Sequence, residues 1–148
     1  MKILVLQGPN INMLGKRKAE HYGSVTMEEI HKKMSQKASE LGCELTFFQS
    51  NHEGAMIDYI QSNSDRVQGI IINAGALTHY GLSMRDALAD AGLPTVEVHL
   101  SNIHSREEFR RLSVVAALAV GQIAGLGWRG YLYALEYLAA RLREGSDS

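Results

Sequence analysis

Short apolar runs, each too short for a helix and each closing on a polar cluster, constrain this chain more than any other feature. Residues 2–6 (KILVL), 44–48 (ELTFF), 69–72 (GIII) and the stretch opening at Thr95 (TVEV) recur with helical patterns between them. A run of roughly four to eight residues bounded by turn formers reads as a buried strand. The intervening segments carry helix signals. Thr26-Met27-Glu28-Glu29 has capping-box form, with Thr26 as N-cap and Glu29 reaching back, and Gly42 stops the helix after Leu41. Ile30, Met34, Ala38 and Leu41 fall on one face of that helix. Residues 53–61, with Met56, Ile57 and Ile60 inward, and 82–91, stopped by Gly92 and Pro94, read as two more helices. Ser105-Arg106-Glu107-Glu108 is a second capping box and opens a short helix through Arg111. Residues 114–124 are mainly apolar, so periodicity does not separate strand from helix there. Their place in the alternation favours a fifth strand near 119–124, and 125–127 then turn into a last helix, 128–143.

Five short strands alternating with helices imply an α/β fold: a doubly wound, five-stranded parallel sheet with helices on both faces. The number of units resembles the flavodoxin-like type. Residues 1–148 read as a single domain, long enough for a real core and without repeats. A net charge of −1 leaves no electrostatic footprint for nucleic acid or an acidic membrane. The longest mainly apolar stretch, 114–128, is broken by Gln122 and glycines and is too short to span a bilayer. Lys2 is followed by only four apolar residues before Gln7 and Gly8, which is not a secretory leader. The lone Cys43 has no internal disulfide partner. Together these point to a soluble, cytoplasmic protein.

In such a fold, ligands sit outside the carboxyl ends of the strands, where strand order reverses. The first four strands end in GPN, QSNHE, NAGALTH and HLSNIH, so asparagine, histidine and serine converge on one edge. The competing explanation is that Asn, Gly and Ser simply make turns. In 95–105 (TVEVHLSNIHS), Glu97 and His99 share a face if the strand is regular. Glu97 then orients an imidazole able to give or take a proton near neutrality. The alternative for His99 is a satisfied structural histidine. Six histidines raise the question of a metal, but no ligand pairs stand at zinc-like spacing, so no metal is expected. Lys16-Arg17-Lys18, in a long polar loop with Tyr22, is either a solvated basic run or a cation that lowers a phenol pKa from its usual ~10.

Two glycine motifs are set aside. Gly15-Lys16 lacks P-loop spacing from Gly8, and Arg17 stands where a hydroxyl residue must hold magnesium. Gly125-Leu126-Gly127-Trp128-Arg129-Gly130 matches G-x-G-x-x-G, but no strand with an acidic residue about 20 positions on follows it. No cofactor is expected.

With these residues in view, the chain resembles the type II 3-dehydroquinate dehydratases over essentially its whole length. The motifs are Gly8-Pro9-Asn10 with Asn12, Leu14-Gly15 and Arg17; Tyr22-Gly23; Gln49-Ser50-Asn51-His52-Glu53-Gly54; Asn73 with Gly75-Ala76 and Thr78-His79; Arg85-Asp86-Ala87; and the run from Val96 to His104 with Arg106-Glu107-Glu108-Phe109-Arg110. The resemblance implies a cofactor-free anti dehydration of 3-dehydroquinate to 3-dehydroshikimate through an enolate. It implies Tyr22 as base, Arg17 keeping that tyrosine ionised, His99 as acid, Glu97 supporting His99, and Asn10 helping to hold a water on the enolate oxygen. It further implies Asn73, His79 and Arg110 on ring hydroxyls, and Leu100 and Ser101 on the carboxylate. Asp86 would reach the site from a neighbouring subunit of a homododecamer, a tetramer of trimers. Lys16-Arg17-Lys18-Ala19 departs from the acidic residue and proline usual after the arginine, and Leu77, Gly81 and 112–122 depart as well. Two other functions compete. One is a non-catalytic module on the same fold that binds a ring acid, for which a paired acid and base have no use. The other is a flavin carrier, which needs a phosphate loop unlike GPNINMLG.

Overall fold

The computed structural model describes residues 1–16 and 19–146. Strands β1 (Lys2–Gln7), β2 (Glu44–Gln49), β3 (Gly69–Asn73), β4 (Thr95–His99) and β5 (Gly121–Ala124) pair in parallel in the order β2-β1-β3-β4-β5. Helices α1 (Ala19–Tyr22), α2 (Met27–Leu41), α3 (Glu53–Asn63), α4 (Leu82–Ala91) and α5 (Arg129–Ser146) connect and flank them. This is the flavodoxin-like arrangement expected from the alternation.

Alternation of side chains along each strand explains why the strands are apolar throughout. Ile3, Val5, Ile71, Val96 and Val98 face one side and pack on Ile30, Met34 and Ala38 of α2 and on Tyr131, Leu135 and Leu138 of α5. Leu4, Leu6, Ile70 and Ile72 face the other and pack on Met56 and Ile60 of α3 and on Met84 and Leu88 of α4. Each interior strand is therefore buried on both faces. The α2 start forms as its sequence dictates: Glu29 N–H donates to Thr26 Oγ1 at 3.1 Å, and Gly42 closes the helix at φ 71°.

The second capping box does not form. Asn102 takes over one turn earlier: its Oδ1 accepts from His104 N–H at 3.1 Å, and the Ser105 hydroxyl donates back to the Asn102 carbonyl at 2.9 Å. The segment becomes two 3-10 turns, Ile103–Ser105 and Glu108–Arg111, instead of a capped helix. The fifth strand is confined to Gly121–Ala124, and α5 runs three residues past its expected end, to Ser146.

The loops after β1 and β3 leave in opposite directions, which makes β1/β3 the switch point. They also touch backbone to backbone. Gly8 N–H donates to the Asn73 carbonyl at 2.7 Å, and a Cβ on Gly8 would lie 2.2 Å from the Ala74 carbonyl oxygen. Gly75, at φ +59°, would carry a Cβ 2.7 Å from the Pro9 carbonyl oxygen. Gly8→Ala must part these loops, and we expect it to cost about 2–3 kcal/mol. Urea unfolding measures this, and a loss below about 0.5 kcal/mol would show that the close approach is not needed.

Candidate active site

A cleft of about 180 Å³ opens at this switch point. The β1 loop contributes Asn10, the β3 end and its following 3-10 turn contribute Asn73 and His79, and the β4 end contributes His99, Leu100 and Ser101. Arg106 and Arg110 close it from the 3-10 segment. Thus Asn10, Asn73, His79, His99, Leu100, Ser101 and Arg110, drawn from distant sequence positions, meet around one space.

The loops are fixed by hydrogen bonds among the strand endings. Asn10 sits in the left-handed region at φ 69°, which asparagine tolerates better than most residues. Its N–H donates to Asn51 Oδ1 at 3.0 Å, and Gln49 Nε2 donates to the Gly8 carbonyl at 3.2 Å. The polar ending of β2 therefore holds the loop of β1. His79 Nδ1 donates to the Leu112 carbonyl at 2.7 Å, with its ring edge-on to Phe109. Asn73 Oδ1 accepts from Gly75 N–H at 3.1 Å, and its Nδ2 donates to the Tyr131 hydroxyl at 2.8 Å.

Glu97 and His99 point the same way from a regular strand, as expected, and sit 2.5 Å apart between Oε2 and Nε2. Glu97 is wholly buried, and His99 is 5% exposed at the cleft. Burial alone would raise the Glu97 carboxyl pKa. The hydrogen bonds from His99 and Ser113, the His99 charge and the bond from Gln122 outweigh it and hold the group below its ordinary value. Ser113 Oγ donates to Oε1 at 2.7 Å and Gln122 Nε2 donates to Oε2 at 2.6 Å. The carboxylate is thus committed to three donors and orients the imidazole rather than meeting the cleft.

Arg106 was not among the expected residues. Its Nη1 donates to Ser101 Oγ at 3.1 Å, which fixes that hydroxyl at the cleft wall. Arg110 donates through Nε to the Glu107 carboxylate and stacks over Phe109 at 4.7 Å. Tyr131, Gln122 and Ser113 were missed too, since each acts through a contact distant in sequence. Gln122, a polar residue within an apolar run, was the one available signal.

Three expected residues stand apart. Asp86 lies on α4 with its side chain 72% exposed, pairs with Arg85 at 3.5 Å and does not line this cleft. Arg17 lies outside the described residues. The Tyr22 backbone closes α1, and its side chain also lies outside what is described. The neighbouring residues Glu20 and His21 border a hollow shared with Leu100, Ser101 and Arg106, so α1 stands beside the same strand end.

Because the folded Glu97 carboxyl titrates below its unfolded value, its contribution to stability is present above the ordinary carboxylate range. That contribution is lost as pH falls through the folded pKa. Glu97→Ala strands His99, Ser113 and Gln122 without their acceptor, and we expect a loss of roughly 3–5 kcal/mol near neutrality that shrinks in acid. Thermal unfolding across pH checks both points. A destabilisation that stays constant into acid would refute the ionised, paired state of Glu97.

The family model described as dehydroquinase class II matches residues 1–139. The 3-dehydroquinate dehydratase of Herpetosiphon aurantiacus is 58% identical over 141 residues, covering 95% of this chain and 98% of that one. That of Halothermothrix orenii is 53% identical over 145 residues, covering 98% of each. Among solved structures, the type II dehydroquinase from Butyrivibrio crossotus superposes with a TM-score of 0.91 at 44% identity, covering 93% of this chain and 97% of that one. A cleft at the β1/β3 switch point, a buried Glu–His pair at its head and a match over nearly the whole length agree: the chain belongs to the class II dehydroquinase family.

Proposed function

We propose that this chain dehydrates 3-dehydroquinate to 3-dehydroshikimate and water by anti elimination through an enolate. The observation that carries this reading is the His99–Glu97 pair, held at 2.5 Å at the head of a cleft walled by asparagine, histidine and arginine. A C–H beside a ketone is only weakly acidic, and hydroxide leaves poorly. One base and one acid on opposite sides of a ring solve both problems.

In this reading Tyr22 takes the proton beside the ketone, and the pair from the broken C–H bond forms the enolate. Arg17 keeps Tyr22 ionised, since an adjacent cation favours phenolate over phenol. Asn10 helps hold a water on the enolate oxygen, where preset donors stabilise developing charge. The enolate then collapses, the carbon–oxygen bond to the departing hydroxyl breaks, and His99 delivers the proton that makes it water. Glu97 keeps the His99 ring aimed. Asn73, His79 and Arg110 hold the ring hydroxyls. Leu100 and Ser101 hold the carboxylate, with Arg106 on the Ser101 hydroxyl. Asp86, exposed and away from its own cleft, serves a neighbouring subunit's cleft within a homododecamer. A module that only binds a ring acid needs no buried carboxylate behind a cleft histidine, so the elimination is favoured.

The reading is tested by adding 3-dehydroquinate and following the rise of enone absorbance; no rise at high enzyme concentration would sink it. Tyr22→Phe and His99→Ala should each lower kcat by about 10³-fold or more with circular dichroism unchanged. Near-normal turnover in either removes that residue's assigned role. Rates should be the same after chelation and after borohydride treatment with substrate. Gel filtration should show the dodecamer. Asp86→Ala and His99→Ala subunits, each poorly active alone, should regain activity when reassembled together. Failure of that complementation would place Asp86 outside the neighbour's site.

A further inference from the structure

Behind the cleft, a line of side-chain hydrogen bonds runs from Asn73 through the core to α2. Asn73 Nδ2 donates to the Tyr131 hydroxyl at 2.8 Å, and that hydroxyl donates to Gln7 Oε1 at 2.8 Å. Gln7 Nε2 then meets His31 Nε2 at 3.2 Å. Gln7 and Tyr131 are 0% exposed and Asn73 is 3% exposed, so no bulk solvent rescues a mispaired atom on these three residues.

The direction of every bond follows from one end. The Gly75 backbone N–H can only donate, so the Asn73 amide oxygen must face it, 3.1 Å away. The Asn73 NH₂ is then turned to Tyr131, whose oxygen accepts and whose own hydrogen must go onward. Gln7 receives that hydrogen on its amide oxygen, which leaves its NH₂ facing His31. An NH₂ has nothing to accept with, so His31 Nε2 must accept, and the imidazole is neutral with its proton on Nδ1.

We propose that Tyr131, Gln7 and His31 are positioning residues that, together with the Gly75 N–H, hold which way Asn73 presents its amide to the cleft, and that the line holds only while His31 accepts a hydrogen bond. The inference rests on the dehydratase reading for what Asn73 touches. A proton on His31 Nε2 would face the Gln7 NH₂ donor to donor. Gln7 would have to turn over, and Tyr131 would then lose its acceptor. Restoring one for Tyr131 requires Asn73 to turn over too, which breaks its bond to Gly75 and reverses what it offers the substrate.

The surroundings of His31 favour the neutral form. Phe47 of β2 stacks on the ring at 4.1 Å between centroids, and Gln7 of β1 caps its edge. Burial lowers the His31 pKa, against an upward pull from Glu28 one turn earlier on α2. The titratable residue of β2, Glu44, lies at the opposite end of the strand beside Lys2. The 3-10 turn Ile11–Met13 carries no titratable residue. From α5, the inward group is Tyr131, whose phenol burial pushes up to about 12 despite the bonds from Asn73 and to Gln7, so it stays protonated.

The test uses the full chain. Long-range ¹⁵N–¹H spectra of the imidazoles read the tautomer independently of turnover. At about pH 8 His31 should carry its proton on Nδ1 alone, and a proton on Nε2 there overturns the relay. In turnover, Tyr131→Phe should raise KM for 3-dehydroquinate about tenfold with a smaller loss of kcat; an unchanged KM in the folded variant overturns the proposal. Should that variant not fold, the His31 pair decides. His31→Leu, which cannot accept, should lose about tenfold in kcat/KM. His31→Gln, whose amide oxygen can accept, should restore it to within about threefold and flatten the fall of kcat/KM toward about pH 5. Superimposable acid limbs for His31→Gln and the unmodified chain overturn the role of His31. If the unmodified chain does not consume 3-dehydroquinate, the dehydratase reading fails, while the tautomer spectrum still judges the relay.

Discussion

A carboxylate removed entirely from water in the middle of a parallel sheet must be met by donors on all sides, and Glu97 imposes that demand on everything around it. The desolvation of one ion costs several kcal/mol even after relaxation. Bonds to a charged group contribute only about 1.5–3 kcal/mol each, so one partner is too few. Three donors arrive from separate places: His99 from the same strand, Ser113 from the segment before β5, and Gln122 from β5. Ser113 does more than donate. Its oxygen accepts from the N–H groups of Val115 and Ala116 at 3.2 and 3.0 Å, which winds the chain into a turn there. The mainly apolar stretch before β5 is therefore bent, and Val120 N–H reaches the Thr95 carbonyl only at its end. The turn before β5 and the aim of His99 at the cleft both follow from the needs of this acid.

The wall formed by the loops after β1 and β3 follows from a steric constraint. The loops of β1 and β3 approach so closely that Gly8 and Gly75 leave no space for a side chain. That contact sets the separation of Asn10 from Asn73 and brings both to the same cleft as His99. The cleft thus forms between a packed pair of glycine loops and a strand end pinned through Glu97, both rigid elements, which is what keeping reacting groups in register requires.

Much of this was legible in the sequence because it is written locally. Strand runs, the Thr26 cap and the polar strand endings each depend on neighbours a few positions away, and they led to the right fold and to most of the cleft residues. The failures have a common cause. The Ser105 capping box met every local rule but lost to Asn102, whose side chain reached His104 first. Tyr131 lies 124 positions from Gln7, and Ser113 lies 16 from Glu97, so no periodicity announces either pair. What cannot be read from sequence is which polar side chains stand behind the ones that face the ligand.

Those hidden partners differ in kind, and the difference bears on chemistry. Behind His99 stands an anion, which fixes the aim of a ring that carries a movable proton. Behind Asn73 stands a chain of neutral groups ending in a neutral imidazole, which suits a side chain that must keep one hydrogen-bonding polarity throughout. Glu97 is turned wholly to its own donors and Glu107 is engaged by Arg110, so neither carboxylate opposes an acidic ligand near Arg106 and Ser101. Groups that touch the substrate set what can bind; the buried groups behind them set whether each presents a donor, an acceptor or a movable proton. Changing Gln7 or Tyr131 should therefore alter recognition through Asn73, whereas changing Ser113 or Gln122 should act through Glu97 on the aim of His99.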